Sequence, residues 1–224
     1  MIKLSKGPEP KVLIDNSATW TAVLLTKISS GVPPTPSEKT RYRHKGIKAA
    51  LEKETSKKCA YCESKLKHIH HGDVEHIHPK SLDPSKQFSW SNLTLACELC
   101  NQNKSDRDPK LESILDPYSK DPEQHICFFG AMAYPLGTAE GISSISLLEL
   151  NRADLVLMRN ETVKRVMGIF ETILRPDIPL SAKQALLVDF EMNELGRHAQ
   201  YSAVVSAIYS SMKSKLPSEL RGVS

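Results

Sequence analysis

No run of about 18 apolar residues occurs in the 224-residue chain, so no membrane-spanning helix is expected. The opening stretch Met-Ile-Lys-Leu-Ser-Lys-Gly-Pro lacks the apolar centre of a secretion signal, which points to the cytoplasm. There is no internal repeat and no low-complexity tract, so neither a solenoid nor a disordered array is expected. Cysteine is scarce: five residues, four of them in two Cys-x-x-Cys pairs. Thiols in that pattern suit metal binding in a reducing compartment better than a disulfide framework. Cys127 is left over and reads as a small buried hydrophobe. No serine or threonine stands in the context of a nucleophile. What remains is an ordinary globular composition, 40% hydrophobic and 25% charged, with length for one large or two small domains.

The net charge of +4 is unevenly spread. Residues 39–110 carry 15 Lys and Arg against 9 Asp and Glu, and six of the eight histidines. Residues 111–224 carry 11 against 14. A basic zone attracts phosphate backbones through counterion release. It surrounds the cysteine pairs, and the acidic C-terminal part is a poor place for nucleic acid.

Periodicity predicts a mainly helical chain with a small α+β module in its middle. A helix is expected over 17–30, capped by Ser17 and closed by Gly31, with Trp20, Val23, Leu24, Lys27 and Ile28 on one face. Val32 to Pro36 reads as a stiff non-helical connector. A second helix is expected over 39–56. Residues 73–79 read as a strand ending in a turn, residues 92–96 return to the second cysteine pair, and a helix starts near Asn101. A hairpin is expected over 125–136. Three helices follow. The first is capped by Asn151 and striped by Leu155, Val163, Val166, Phe170, Ile173 and Leu174. The second opens on a Ser181-x-x-Gln184 capping box. The third carries Tyr201, Val204, Val205, Ile208 and Met212. These boundaries divide the chain into an N-terminal helical segment (1–56), a central module (57–118) and a hairpin plus helical region (119–224).

The chemistry sits in the central module. Cys59 and Cys62 lie in Cys-Ala-Tyr-Cys, and Cys97 and Cys100 in Cys-Glu-Leu-Cys. Two such knuckles aim four thiolates at one ion, which makes a closed, structural Zn²⁺ site tying together the ends of the insert. The insert holds Asp73-Val-Glu-His-Ile-His-Pro-Lys80 and Trp90-Ser-Asn-Leu93, and Asn101-Gln-Asn-Lys104 follows the last cysteine. Phosphodiester hydrolysis needs an activated water and a cation to neutralise developing charge. A neutral His76 can take the proton from water. Glu75 and the Asn101 side-chain oxygen are hard ligands that suit Mg²⁺ or Mn²⁺. Asn92 can fix the loop that aims His76. Lys80 and Lys104 are placed to contact phosphate. His68, His70 and His71 read as a solvated loop, His78 as equally a supporting or a surface group, and Trp90 as a core anchor. The rival reading is a zinc-knuckle protein that grips nucleic acid or a partner without cutting; a pure binder needs neither the Glu75-His76 pair nor Asn101.

The set Cys-x-x-Cys, Asp-Val-Glu-His-Ile-x-Pro-Lys, Trp-x-Asn-Leu, Cys-x-x-Cys-Asn-x-x-Lys resembles the HNH nuclease family over residues 59–104. The resemblance implies a ββα-metal fold, with His76 as general base, Glu75 as metal ligand, Asn92 as the structural asparagine and Asn101 as second metal ligand. The family usually has Asp where Glu75 stands, which leaves Asp73 as an alternative ligand. The flanks, Ile47-Lys48-x-x-Leu51 leading to Lys58-Cys-Ala-Tyr-Cys-Glu63, and Leu148-x-Leu150-Asn151 followed by Arg159, resemble the HNH subunit of Septu-type and retron-associated anti-phage systems. That likeness implies an ABC/SMC-type ATPase partner encoded alongside, and nucleic acid as substrate: DNA first, with RNA, including tRNA, as the alternative. The helical flanks 1–56 and 119–224 then read as docking surfaces, with Arg159 and Lys164 on the exposed face of their helix.

Overall fold

The computed structural model describes residues 1–66 and 72–221; His68, His70 and His71 lie outside the described residues. Helix α1 spans Lys11–Ser29. It begins six residues before Ser17 because Pro10 ends an extended lead-in, and its carbonyl accepts from the amides of Leu13 (2.8 Å) and Ile14 (3.2 Å). Ser17 is therefore inside the helix and caps nothing. Gly31, at φ 70°, closes the end. The connector is shorter than expected. Thr35 and Glu38 form a capping box, so Pro36 opens helix α2, Pro36–Thr40. The helix expected over 39–56 is interrupted too. A 3₁₀ turn, Arg41–Arg43, ends at His44, whose ψ of 137° breaks the run and whose Nδ1 accepts from Gly46 to start α3, Lys45–Glu54. Ile47 and Leu51 point into the core from α3.

Strand β1, Asp73–His76, pairs antiparallel with β2, Leu93–Ala96, placing Glu75 opposite Thr94 and His76 opposite Leu93. Helix α4, Glu98–Lys104, follows at once. It starts three residues before Asn101 because the Cys97 sulfur caps it, accepting from the Cys100 amide at 3.4 Å. This strand–strand–helix unit is the small module. Strands β3, Ile126–Phe129, and β4, Met132–Pro135, form the expected hairpin around Gly130. Cys127 lies on β3 only half-buried, opposite Tyr134. The rest is helical: α5 (Ala139–Leu147), α6 (Ala153–Leu174), α7 (Leu180–Asn193) and α8 (Ser202–Met212). Two expected caps are absent. Asn151 exchanges two hydrogen bonds of 2.8 Å with the Ala133 backbone, so Arg152 takes the N-cap of α6. Pro179 precedes α7 without a Ser181 capping box. Phe170, Phe190 and Tyr209 stack where α6, α7 and α8 meet. The chain is thus mostly helical with two two-stranded sheets. One hydrophobic cluster includes Leu13, Leu51, Cys59, Leu95, Phe170 and Leu216. Among the described residues no helix is long and apolar enough to cross a membrane.

Arg159 is not on the exposed face of α6. It is 1% exposed. Its Nη1 donates to the carbonyls of Leu150 (2.6 Å) and Ala131 (3.4 Å), and its guanidinium lies over Phe128 at 5.0 Å and Tyr201 at 5.9 Å. Helical spacing sets it on the apolar stripe, four residues after Leu155 and seven before Val166; its charge alone suggested solvent, and the carbonyls of Leu150 and Ala131 take the place of water. Lys164, one helical face away, is exposed and pairs with Glu161. Charge reversal should therefore separate the two. Lys164→Glu is expected to leave the urea midpoint unchanged, whereas Arg159→Glu, which buries an unpaired carboxylate, should cost about 3–5 kcal/mol. Equal, small effects at both positions would show that Arg159 is not buried in solution.

Candidate metal centre and active site

The Sγ atoms of Cys59, Cys62, Cys97 and Cys100 all lie within 4.8 Å of one another. None is in a disulfide, and Cys62 and Cys97 approach to 3.8 Å. The first knuckle turns through Glu63, whose φ of 64° lets the chain double back, with the Cys59 amide donating to Ser64 at 2.9 Å. The second is the first turn of α4. Four soft sulfur donors in a closed, largely buried cluster fit a tetrahedral zinc ion and leave no open position for chemistry. Four thiolates on a dication leave two negative charges in a dry place. Arg152 meets them: its guanidinium nitrogens sit 3.7 Å from the Cys100 sulfur and 3.9 Å from the Cys97 sulfur. Ser64 Oγ lies 3.3 Å from the Cys62 sulfur and 3.0 Å from the Tyr201 hydroxyl.

At the far end of β1, Glu75, His76, Lys80 and Asn101 line one cavity of about 200 Å³. His76 is oriented from behind. Its Nε2 lies 3.0 Å from the Gln87 carbonyl, and a carbonyl only accepts, so the proton sits on Nε2 and Nδ1 keeps its lone pair. The Tyr42 ring packs edge-on against the imidazole, with centroids 4.6 Å apart. Burial holds the His76 pKa down to about 4; the Gln87 carbonyl pulls against that, while Lys80, Lys104 and Arg43 add to it. The imidazole is therefore neutral at pH 7. Residues 59–107, which contain all these strand and helix groups, match the model of the HNH endonuclease family. The chain carries an HNH endonuclease domain, and so is a nuclease acting on phosphodiester bonds. The whole chain is also similar to two curated proteins. One is Septu protein PtuB of Bacillus thuringiensis, 28% identical across 93% of this chain and 81% of that protein. The other is Septu protein PtuB of Bacillus mycoides (strain KBAB4), 26% identical across 74% and 68%.

Within the HNH domain Asn92 does what a clamp requires. Its Oδ1 accepts from the His78 amide at 2.8 Å, and its Nδ2 donates to the carbonyls of His78 (3.0 Å) and Lys86 (3.2 Å). The loop after β1 is thereby pinned to the segment that carries Gln87. Asn101 donates Nδ2 to Asp73 at 3.1 Å, which leaves its Oδ1 to ligate and occupies Asp73 as an orienting group. Glu75 and Asn101, on one cavity with hard oxygen atoms, fit a magnesium-like or manganese-like cation. Lys104 is not at the surface where a phosphate contact was expected. It is 1% exposed, pairs with Glu75 at 2.8 Å and donates to the His76 carbonyl at 2.9 Å. Burial pushes the Glu75 carboxyl above its ordinary pKa, and Lys104 pulls it back. Lys80 is exposed at the cavity mouth. His78 is half-buried, 3.8 Å from Asp108, and lines a neighbouring cavity of about 560 Å³. Trp90 is a core anchor, donating Nε1 to the Gly7 carbonyl at 2.9 Å. Sequence reasoning missed Tyr42, Gln87 and Arg152, none of which carries a local signal.

Two measurements test the cysteine cluster. Purified protein should hold about one zinc per chain, and Cys59→Ser should lose both metal and fold. Arg152→Gln should fold yet yield its zinc to a chelator about ten times more readily, the effect of removing a group just outside the ligand shell. A wild-type melting curve unchanged after complete metal removal would contradict a structural zinc.

Proposed function

We propose that this chain is the metal-dependent nuclease subunit of an anti-phage defence complex, that it cuts DNA, and that an ABC/SMC-type ATPase docks on residues 119–224 and gates it. One observation carries the catalytic reading: a neutral histidine with a free Nδ1 shares a small cavity with a carboxylate and an asparagine oxygen. Nδ1 of His76 takes a proton from the attacking water as the water oxygen bonds to phosphorus, the bond from phosphorus to the leaving oxygen breaks, and that oxygen takes up a proton from bulk solvent. The Gln87 carbonyl, already bonded to Nε2, steadies the imidazolium that forms. Glu75 and Asn101 hold Mg²⁺ or Mn²⁺, which when bound offsets charge on the phosphate and leaving oxygen. Lys104 favours the charged form of the Glu75 carboxyl against its burial and holds it in place from below. Asn92 keeps the His76 loop from slipping, and Lys80 meets the substrate backbone.

The defence reading is supported by likeness to two proteins named Septu protein PtuB over most of the chain. The acidic balance of residues 111–224 disfavours a polyanion there and leaves that region for a protein partner.

His76→Ala should lower cleavage of plasmid DNA, in magnesium or manganese and with any copurifying ATPase present, by about 10²–10⁴-fold while zinc content and melting temperature stay put. Near-normal cleavage by this variant would move the base elsewhere. Cleavage confined to RNA or tRNA would reject the DNA assignment and keep the chemistry.

A further inference from the structure

Between residues 39 and 45 every ionisable side chain except Tyr42 is basic: Lys39, Arg41, Arg43, His44 and Lys45. This segment lies outside the HNH match at 59–107, yet it folds against the catalytic histidine. Tyr42, at the centre of the 3₁₀ turn, is 5% exposed and edge-on to His76. The Lys39 carbonyl accepts from Gln87 Nε2 at 3.3 Å, the same Gln87 whose carbonyl holds the His76 imidazole. Two cations from distant parts of the chain converge on the Tyr42 ring. The Arg43 guanidinium is 5.6 Å and the Lys80 ammonium 5.4 Å from its centroid. Arg41 lies 5.5 Å over Trp20, farther along the same turn.

The contrast with the rest of the molecule is informative. The half-buried Lys6 and the buried Lys58 and Lys104 are each matched to a carboxylate, on Glu54, Glu63 and Glu75. No ion pair among the described residues uses Arg41, Arg43 or Lys80. An aromatic face steadies a cation without neutralising it. The result is positive charge without an ion-pair partner: Lys80 lines the cavity that holds His76, and Arg43 is close enough to act on the imidazole. Guanidinium groups match phosphate oxygens in pairs.

We infer that the Arg41–Arg43 turn and Lys80 form a clamp for the nucleic-acid backbone, with Tyr42 as the wedge that fixes the clamp relative to His76. The inference rests on the nuclease reading above. It assigns to the N-terminal segment a share in substrate binding that goes beyond docking of a partner.

Binding can be separated from cutting in full-length His76→Ala protein, using a fluorescent DNA duplex and anisotropy over a potassium chloride series. Arg43→Ala and Lys80→Ala should each lower the slope of log K against log salt by about one, and Arg43→Lys should restore it. Lys164→Ala, an exposed cation on α6, should leave the slope unchanged. The same series on single-stranded RNA identifies which backbone is gripped. A protein that cuts nucleic acid with His76 intact but keeps its full salt slope in both alanine variants overturns the clamp and leaves the nuclease standing. Wild-type protein that neither binds nor cuts DNA or RNA takes down both.

Discussion

Four sulfur atoms within 4.8 Å of one another bound the segment that carries the chemistry. A two-stranded sheet such as β1–β2 is marginal in water by itself. Here β2 runs straight into Cys97, the Ala60 amide of the first knuckle donates to the Leu95 carbonyl at 2.9 Å, and α4 begins on one of the sulfurs. A metal ion there removes much of the freedom of the intervening chain, and its binding energy becomes folding energy. The knuckles also reach outward. Arg152 joins the cluster to the start of α6. Glu63, next to Cys62, accepts from Ser202 at 2.7 Å and pairs with Lys58 at 3.3 Å, tying α8 to the same corner. The C-terminal helices therefore pack against the cysteine cluster, and a metal bound there would bear on their order as well as on the module's.

Buried charge shapes the catalytic end in the same way. A lone carboxylate as enclosed as Glu75 would take up a proton. Lys104 opposes this from one turn beyond Asn101, and by also donating to the His76 carbonyl it fixes the end of β1. Adjacent strand residues ordinarily face opposite sides. The strand ends at His76, so the pair escapes that alternation, and both side chains reach one cavity. A lysine expected at the substrate thus works from underneath as a positioning group.

Metal and hydrolytic chemistry demand particular residue types at short spacing, so the candidate residues could be picked from the sequence, and the fold brings the four cysteines to one point and Glu75, His76 and Asn101 to one cavity. Helix existence was readable from apolar periodicity for the same local reason. Caps were less so. Asn151 has the right chemistry to cap α6, but Ala133 from the hairpin competes for both of its polar atoms. Ser17 lost its role to Pro10, which supplies a ready-made start upstream. Tyr42 and Gln87 were invisible as groups beside His76, since chain positions far apart build that environment, whereas Arg159 was misread by its charge although it falls on the apolar stripe of α6. Glu75 and Asp73 could not be ranked by spacing. In the fold Glu75 lines the cavity with His76 and Asn101, while Asp73 accepts from Asn101.

The family match covers residues 59–107, but the environment that holds His76 neutral extends beyond it. Tyr42 covers one side of the imidazole edge-on, and Arg43 contributes to its positive surroundings. Burial is the largest influence holding the His76 pKa near 4, against about 6.5 for a solvated histidine. If the 41–43 turn moved away, water would reach the ring, its pKa would climb, and a larger share would be protonated at neutral pH. A protonated imidazole cannot accept a proton from water. The N-terminal segment therefore acts on the chemistry through solvation as well as through charge, and a displacement of that one turn would weaken the base and the backbone grip together.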